Sequence, residues 1–248
     1  MTKNEIYKTL LEQLSYDMNC SQDELLKSGV TLVEAGNHDK RRKFTQDPIV
    51  FGMLTLGEGA VMSARPELLA DLNQYKAFEY PLRLFEHFKM TEIDQLLKKN
   101  GFSMTGLSEF YLPDPKNLPT FTISDDYRID WYEGDHVAEL FKHEGFHNAL
   151  SYYIKGLRPD VIAVTASLNN QIIGMAGASA DSEMMWQVGI DVLKEHRGMG
   201  IGTFLVSEIT KRILLLDKVP YYGTWNANIG SRKIALKCGY MPAWTEVY

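Results

Sequence analysis

The chain has 248 residues, of which 45% are apolar and 23% charged, and its formal net charge is -6. This composition is typical of globular domains and excludes a disordered, collagen-like or coiled-coil protein. The length allows one large domain or two small ones. Because an acidic chain repels phosphate backbones, no nucleic-acid partner is expected.

The two cysteines, Cys20 and Cys238, lie near opposite ends of the chain. Without CxxC spacing they favour neither a disulfide framework nor a zinc site, so we expect reduced thiols and a cytoplasmic protein. His136, His143 and His147 lack a metal-ligand spacing, and no metal is predicted. The polar start and the lack of an apolar run of ~18 residues predict no secretory signal, membrane span or membrane partner.

The residues up to about 115 predict a mixed α/β domain. Apolar residues at every fourth position predict a helix over Lys3–Met18. Two β-prone segments, 49–56 and 60–64, are separated by Gly57-Glu58-Gly59, which is typical of a hairpin.

Two further helices are predicted in this region. Pro66 is expected in the first turn of a helix over residues 67–75, and Thr91 is expected to cap a helix that ends at Lys99. The basic run of residues 40–43 has no interleaved aromatic residues that could stack on bases, so we expect a solvated loop there.

A proline-rich segment divides the chain. Residues 112–119 contain three of the nine prolines, which favours an extended linker and forbids a helix. We therefore predict an N-terminal domain of unassigned role at 1–115 and a second domain at 120–248.

The second domain is predicted to begin with a polar strand near 120–130 and helical stretches near 134–143 and 147–155. Residues 160–166 and 172–178 are β-prone and flank a polar turn, so they are expected to pair antiparallel. In the following segment, 185–192, apolar residues alternate with others, which predicts a strand with one apolar and one mixed face.

A glycine-rich turn, Arg197-Gly198-Met199-Gly200-Ile201-Gly202, follows this strand and precedes an amphipathic helix. Glycines permit positive φ angles and leave room for an anion, so the N–H groups of residues 198–203 can converge at the positive end of the helix dipole. A pyrophosphate would fit such a nest, while a plain tight connection is the simpler alternative. The turn lacks the lysine of a P-loop, and it follows an antiparallel hairpin, unlike the turn of a Rossmann fold.

Three features together resemble the GNAT superfamily of acyl-CoA-dependent N-acetyltransferases, over about residues 120–248. They are the strand end Ile190-Asp191-Val192, the loop Arg197–Gly202, and the late segment from Asn228-Ile229-Gly230-Ser231 to Cys238-Gly239-Tyr240. The resemblance is greatest to a bacterial group with an additional N-terminal region. It implies an α/β (α+β) fold, in which a C-terminal mixed, mostly antiparallel sheet is flanked by helices and preceded by an N-terminal mixed α/β domain.

The resemblance also implies how acetyl-CoA would bind. In GNAT folds the strand at 185–192 splays from the next strand, here 219–225, and the pantetheine arm pairs with exposed backbone in the gap. Asn228 would cap the helix at 229–237 and lie beside the cofactor. The cofactor-binding residues implied in this way are Ile190, Asp191, Val192, Arg197, Gly198, Met199, Gly200, Ile201, Gly202, Thr203, Asn228 and Ser231.

The resemblance leaves the catalytic residues less defined. Many relatives carry a tyrosine that protonates the leaving thiolate, but this chain has Ala235 at that position. Ser231 is the substitute proton donor that the resemblance suggests, and a capping role for this first-turn serine is the alternative. A base must also take a proton from the amine. Because Trp186 stands where several relatives have a carboxylate, the nearest candidates are Glu183 and His196.

The sequence therefore predicts an enzyme that moves an acetyl group from acetyl-CoA to a primary amine of a small molecule or peptide. The alternative is a regulatory or sensor module that binds CoA or acyl-CoA without turnover. Only one further strand, 243–248, is predicted after Tyr240, which would leave an open sheet edge. We expect that edge to be covered by the N-terminal domain or by a second subunit in a homodimer.

Overall fold

The computed structural model describes residues 1–43, 49–153 and 155–248. It is a mixed α/β structure with mostly antiparallel strands and flanking helices, which confirms the predicted fold class. The helices are α1 (Lys3–Met18), α2 (Gln22–Leu26), α3 (Pro66–Leu72), α4 (His87–Lys99), α5 (Ile201–Leu215) and α6 (Ile229–Lys237). The strands are β1 (Val30–Glu34), β2 (Phe51–Thr55), β3 (Ala60–Ala64), β4 (Ser108–Pro113), β5 (Arg128–Glu133), β6 (Asp160–Leu168), β7 (Gln171–Ser179), β8 (Met185–Val192), β9 (Val219–Trp225) and β10 (Tyr240–Val247).

The contacts divide the chain into two compact units. The larger unit contains residues 1–9 and 111–242, and the smaller unit contains residues 10–110 and 243–248. Compared with the predicted domains, 1–115 and 120–248, the two units differ mainly in their assignment of the chain termini. No helix in the described ranges is long and apolar enough to cross a bilayer.

The sheet of the smaller unit has the strand order β1-β3-β2-β10. β2 and β3 form the predicted antiparallel hairpin, and residues 245–247 of β10 pair with β2. β1 pairs with β3 in parallel. The core on this sheet is built from buried side chains of β2, β3, α3 and α4, such as Met53, Met62, Leu68 and Ile93.

The expected solvated loop at 40–43 is wrong for its two arginines, since Arg41 is 4% and Arg42 is 2% exposed. Arg42 donates from Nε to Asp17 at 2.5 Å and from Nη2 to Glu246 at 2.8 Å. Two carboxylates therefore compensate one buried guanidinium, whose desolvation would otherwise be costly. These partners are 25 and 204 residues away in sequence, so a local charge pattern could not indicate them.

The cap predicted at Thr91 is also wrong. α4 begins one turn earlier, at His87, and Glu86 precedes it. The Thr91 hydroxyl donates to the His87 carbonyl at 2.8 Å, which is the bond that a threonine inside a helix can make. The predicted helix start at Pro66 is confirmed, although the α-helix ends at Leu72 and continues as a 3-10 turn, Asn73–Ala77.

The sheet of the larger unit contains the strand order β4-β9-β8-β7-β6-β5. β5 to β8 pair antiparallel, and β8 pairs with β9 in parallel. α5 packs on one face through Ile201, Leu205, Ile209 and Ile213. A separate cluster that includes Phe146 and Leu150 covers the other face.

The beginning of the second domain differs from prediction. The strand expected near 120–130 begins only at Arg128, and the helical stretch at 134–143 is a 3-10 turn, Gly134–Leu140. No helix is found in residues 147–153 or at 155 of the predicted stretch 147–155, in which Ile154 lies outside the described residues. Several backbone N–H groups there bind aspartate side chains instead of helix carbonyls.

A cleft between two strands of the larger unit

The parallel strands β8 and β9 separate partway along their length. Their pairing runs from Met185 and Val219 to Val188 and Tyr222, and then stops, although β8 continues to Val192. A cleft of about 740 Å³ opens at this point. The backbone N–H and C=O groups on one edge of residues 189–192 therefore face a cavity and do not pair with β9. This confirms the predicted separation of the two strands.

The glycine-rich turn closes one end of the cleft. Gly198 and Gly200 have φ angles of +83° and +85°, and Gly200 is the residue before α5. Arg197 lines the cleft and donates from Nε to the Val192 carbonyl at 2.9 Å. Because the first N–H groups of a helix have no carbonyl partner within it, this end of the cleft is suited to an anion.

The predicted cofactor-binding residues fall into two groups. Those that line the cleft are Ile190, Asp191, Val192, Arg197, Gly198, Asn228 and Ser231. Met199 and Gly200 continue the turn, while Ile201, Gly202 and Thr203 begin α5. A Cβ on Gly202 would lie 3.3 Å from Val192 and 3.4 Å from Ile234, so this glycine allows close packing of helix on strand.

The N-terminus of α6 forms a second wall. Asn228 accepts from the Ser231 N–H through Oδ1 at 3.1 Å, which confirms the predicted cap. The Ser231 hydroxyl lies 2.8 Å from the Tyr222 hydroxyl. Burial raises the pKa of Tyr222 to about 12, so this phenol stays protonated at neutral pH. No sequence motif marks Tyr222; its only signal is its place in the strand that follows the glycine turn and its helix.

The segment of residues 146–151 forms a third wall, on the face of the sheet opposite α5. The Asp191 carboxylate accepts from Asn148 N at 2.7 Å, from Asn148 Nδ2 at 2.6 Å and from Ala149 N at 3.0 Å. Two glycines of the sheet make room for this segment: a Cβ on Gly189 would lie 1.7 Å from the Asn148 carbonyl oxygen, and one on Gly177 would lie 2.1 Å from that of Ala149. The side chain of Asp191 is thus engaged by the wall.

A second aspartate fixes the far end of this wall. Asp160 accepts from the N–H groups of Ser151, Tyr152 and Tyr153 at 2.8, 2.7 and 3.3 Å, and from the Ser151 hydroxyl at 2.8 Å. Burial raises the pKa of Asp160, while its hydrogen bonds from Ser151 act in the opposite direction. Both carboxylates that line the cleft are therefore occupied by protein donors.

An arginine network lies beside this wall. Arg158 donates from Nε to Asp181 at 2.8 Å and from Nη2 to Gln187 Oε1 at 2.6 Å. The fully buried Asp181 also accepts from the Ser179 hydroxyl at 2.7 Å and from the buried Tyr221 hydroxyl. Burial acts to lower the pKa of Arg158, but the Asp181 charge acts to raise it, and the net shift is upward. The guanidinium stays charged.

Only one of the two candidate bases, His196, lies at the cleft. Glu183 is exposed in the turn before β8, outside the cleft, whereas His196 lines the cleft beside the glycine turn. Trp186 packs against the apolar core on the α5 face. Ala235 is fully buried in the same core. Among the described residues there is no group of three or more His, Cys, Asp or Glu side chains that could hold a metal ion.

Comparison with known proteins identifies the class of this larger unit. Residues 121–240 match the model of the acetyltransferase (GNAT) family. The match identifies a domain of the acetyltransferase (GNAT) type at residues 121–240. No curated protein matches the sequence.

Several solved structures are similar to this chain at low sequence identity. A Drosophila protein is 12% identical over 76% of this chain and 70% of its own, with a TM-score of 0.50. A GCN5-related N-acetyltransferase-like protein from Streptococcus suis is 13% identical over 65% of this chain and 68% of its own, with a TM-score of 0.46. A GNAT-family protein from Novosphingobium aromaticivorans is 13% identical over 59% of this chain and 64% of its own, with a TM-score of 0.43.

Proposed function

We propose that the protein is an N-acetyltransferase that moves an acetyl group from acetyl-CoA to a primary amine by direct attack. The observation that carries the proposal is the separation of β8 from β9 at Val188 and Tyr222, with a glycine turn and a helix N-terminus at the end of the resulting cleft. The family match at residues 121–240 supports acyl transfer in general.

The residues of the cleft fit acetyl-CoA, which would supply a thioester whose carbonyl is open to attack by an amine. The left-handed backbone of Gly198 and Gly200 suits a concave run of N–H groups that would hold the pyrophosphate. A Cβ at either glycine would meet no protein atom within 4 Å, so the space beside the turn is open. The backbone of residues 189–192 would pair with amides of the pantetheine arm.

Proton transfer is assigned to two hydroxyl groups. Forming the C–N bond and breaking the C–S bond moves one proton, in net terms, from the amine nitrogen to the sulfur. Ser231 would donate this proton to the thiolate and take a replacement from Tyr222, 2.8 Å away. The deprotonated Tyr222 then recovers a proton from the product side through solvent. Because the pKa of Tyr222 is about 12, the pair begins every cycle protonated.

The base for the amine is not assigned to a carboxylate. Among the described residues that line the cleft, Asp160 and Asp191 both accept hydrogen bonds from protein donors. We therefore propose that the amine binds as the neutral fraction, or loses its proton to solvent or to His196, which lines the cleft beside the glycine turn. A module that binds CoA without turnover would share the cleft, and the experiment below distinguishes it.

The test is Gly200→Val, followed by CoA binding in a calorimeter. A side chain at this position would stand in the pyrophosphate nest, and losing two charge-assisted hydrogen bonds of about 1.5 to 3 kcal/mol each weakens binding at least about 100-fold. Gly101→Val is the matched control, because Gly101 has nearly the same φ, +83°, and equally open surroundings but lies in the smaller unit.

Unchanged CoA affinity in a folded Gly200→Val protein would refute the cofactor site. Release of free thiol from acetyl-CoA with a panel of primary amines then separates the two functions. Tight binding of acetyl-CoA with no amine-dependent release of thiol would favour the alternative, a module that binds CoA without turnover.

A further inference from the structure

An exposed tryptophan stands at the edge of the cleft. Trp225 is the last residue of β9, it lines the cleft, and it is 66% exposed. Its carbonyl accepts from the Asn228 N–H at 3.0 Å, which holds its backbone in the turn before α6. The indole itself has no hydrogen-bond or ring partner among the described residues. A large, rigid side chain is therefore presented to the contents of the cleft.

The side chain of Trp225 belongs to the face of the sheet opposite α5. Tyr222 packs in the apolar core on the α5 face, whereas the Tyr221 hydroxyl donates to Asp181 on the other side. Because successive residues of a strand alternate between the two faces, Gly223 and Trp225 share the side of Tyr221. The glycine turn, in contrast, leads directly into α5. The indole and the proposed pyrophosphate nest thus lie on different faces of the sheet.

The register of the strands leaves a gap in front of the indole. Val188 pairs with Tyr222, so Asp191 would stand opposite Trp225 if the pairing continued. The strands are separated there, and Asp191 binds the wall of residues 146–151. A ligand group in this part of the cleft therefore has the indole on one side and β8 with its wall on the other.

The charged groups on this face are engaged within the protein. Asp191 accepts from N–H groups of the wall of residues 146–151, and Arg158 donates to the buried Asp181. The indole offers a flat apolar surface, and such a surface stacks on another planar ring with a gain beyond the contact area that is buried. An aromatic ring is thus the ligand group that matches this part of the cleft.

We propose that Trp225 stacks on an aromatic ring of the acceptor, so that the acceptor is an arylalkylamine, a primary amine joined to a planar ring by a short aliphatic spacer. This inference rests on the proposed acetyl transfer for the identity of the ligand as an acceptor. The spacer is short because Trp225 follows Tyr222 by three residues of β9, which is about 10 Å along the strand. Tyr222 and Ser231 are the proposed proton donors, and the amine reacts beside them.

The experiment compares two amines that differ in the flatness of their ring, 2-phenylethylamine and 2-cyclohexylethylamine. Binding of each amine to the CoA-saturated protein is measured by ligand-observed NMR. The phenyl compound should bind roughly 3- to 10-fold more tightly, and Trp225→Leu should abolish this preference, because leucine is apolar but has no flat face. Equal binding of the two amines to the wild type, or binding of neither, would overturn the inference.

Two further variants serve as controls. Trp225→Phe retains a flat ring and should keep most of the preference for the phenyl compound. Trp131→Leu is the matched control, because Trp131 is 41% exposed on β5 of the same unit and is not among the described residues that line the cleft. It should leave the preference unchanged. If Trp131→Leu abolishes the preference as well, the effect is not local to Trp225 and the inference is wrong.

The adenine of CoA is another planar ring that could reach the indole. CoA is therefore titrated into the wild type and into Trp225→Leu in a calorimeter. Because the indole and the pyrophosphate nest lie on different faces, we expect the same affinity for both proteins. A weaker affinity of Trp225→Leu for CoA would assign the indole to the cofactor and overturn the inference.

Thiol release from acetyl-CoA with the same two amines separates this inference from the proposed function. A preference for the phenyl compound that depends on Trp225, without thiol release, would sustain ring binding at Trp225 and refute acetyl transfer. Thiol release with equal kcat/KM for the two amines would sustain acetyl transfer and refute the assignment of Trp225.

Discussion

Gly189→Ala should dislodge the wall of residues 146–151 from the sheet. Gly189 lies in β8 directly beneath the Asn148 backbone, and an added Cβ would be 1.7 Å from the Asn148 carbonyl oxygen. Ordinary contact begins near 3.4 Å, so the wall would have to retreat by roughly 1.7 Å. The obstacle is backbone on both sides, and no side-chain rotation can relieve it.

The cost follows from the bonds that this movement breaks. The three hydrogen bonds from Asn148 and Ala149 to Asp191 have lengths of 2.6 to 3.0 Å and cannot survive the retreat. Hydrogen bonds to a charged group contribute about 1.5 to 3 kcal/mol each, and water can replace part of them because Asp191 is only half-buried. We expect a loss of about 3 to 5 kcal/mol, which corresponds to a fall in Tm of roughly 6 to 20 °C for a domain of this size.

Thermal unfolding and amide hydrogen exchange measure the effect. The Asn148 and Ala149 amides, which both donate to Asp191, should lose protection in Gly189→Ala and also in Asp191→Ala. Gly106→Ala is the control, since a Cβ there would meet no atom within 4 Å and no positive φ is involved; its stability should change by less than about 0.5 kcal/mol. A Gly189→Ala protein with unchanged Tm and full protection of both amides would refute this account of the wall.

Three further predictions concern other parts of the chain. Ser21→Ala should lower the free energy of unfolding by about 1 kcal/mol in denaturant titrations, because Ser21 and Glu24 form a capping box at α2. Ala235→Tyr should destabilise the protein by about 1 to 3 kcal/mol in the same titrations, since Ala235 is fully buried and a tyrosine there would overpack the core. Tyr222 has a folded pKa of about 12, raised from 10.0, so its stabilising contribution is complete below pH 10 and is lost as pH rises through 12. Between pH 10 and pH 12, the free energy of unfolding of Tyr222→Phe should therefore fall less than that of the wild type, as measured by denaturant titrations at each pH.

The elements predicted best are those bounded by local signals. The predicted limits of the helix at Lys3–Met18 and of the strand at Met185–Val192 agree with the structure. Hydrophobic periodicity and flanking turn residues are properties of neighbouring positions, so they can be seen in one sequence. The burial of Arg42 could not be predicted, because its carboxylate partners come close only after folding.

The candidate site divides in the same way. The glycine turn and the Asn228 cap depend on contacts within a few residues, and both were predicted from the sequence. Residues 147–151 of the wall belong to the predicted helical stretch 147–155, which is wrong. The carboxylate that binds Asn148 lies 43 residues further along the chain, so no local pattern indicates it. The pairing of Arg158 with Asp181 spans 23 residues and two strands, and no periodicity indicates it.

The alternation along β8 explains how one strand can serve two separate tasks. Val188, Ile190 and Val192 pack on the α5 face, and beyond Val188 the backbone edge of the strand is open to the cleft. The residues between them face the other way: Gln187 binds Arg158, and Asp191 binds Asn148. Because successive side chains of a strand point to opposite faces, a shift of register by one residue would exchange these tasks and destroy both. The mixed face of this strand is therefore as constrained as its apolar face, by hydrogen bonds instead of packing.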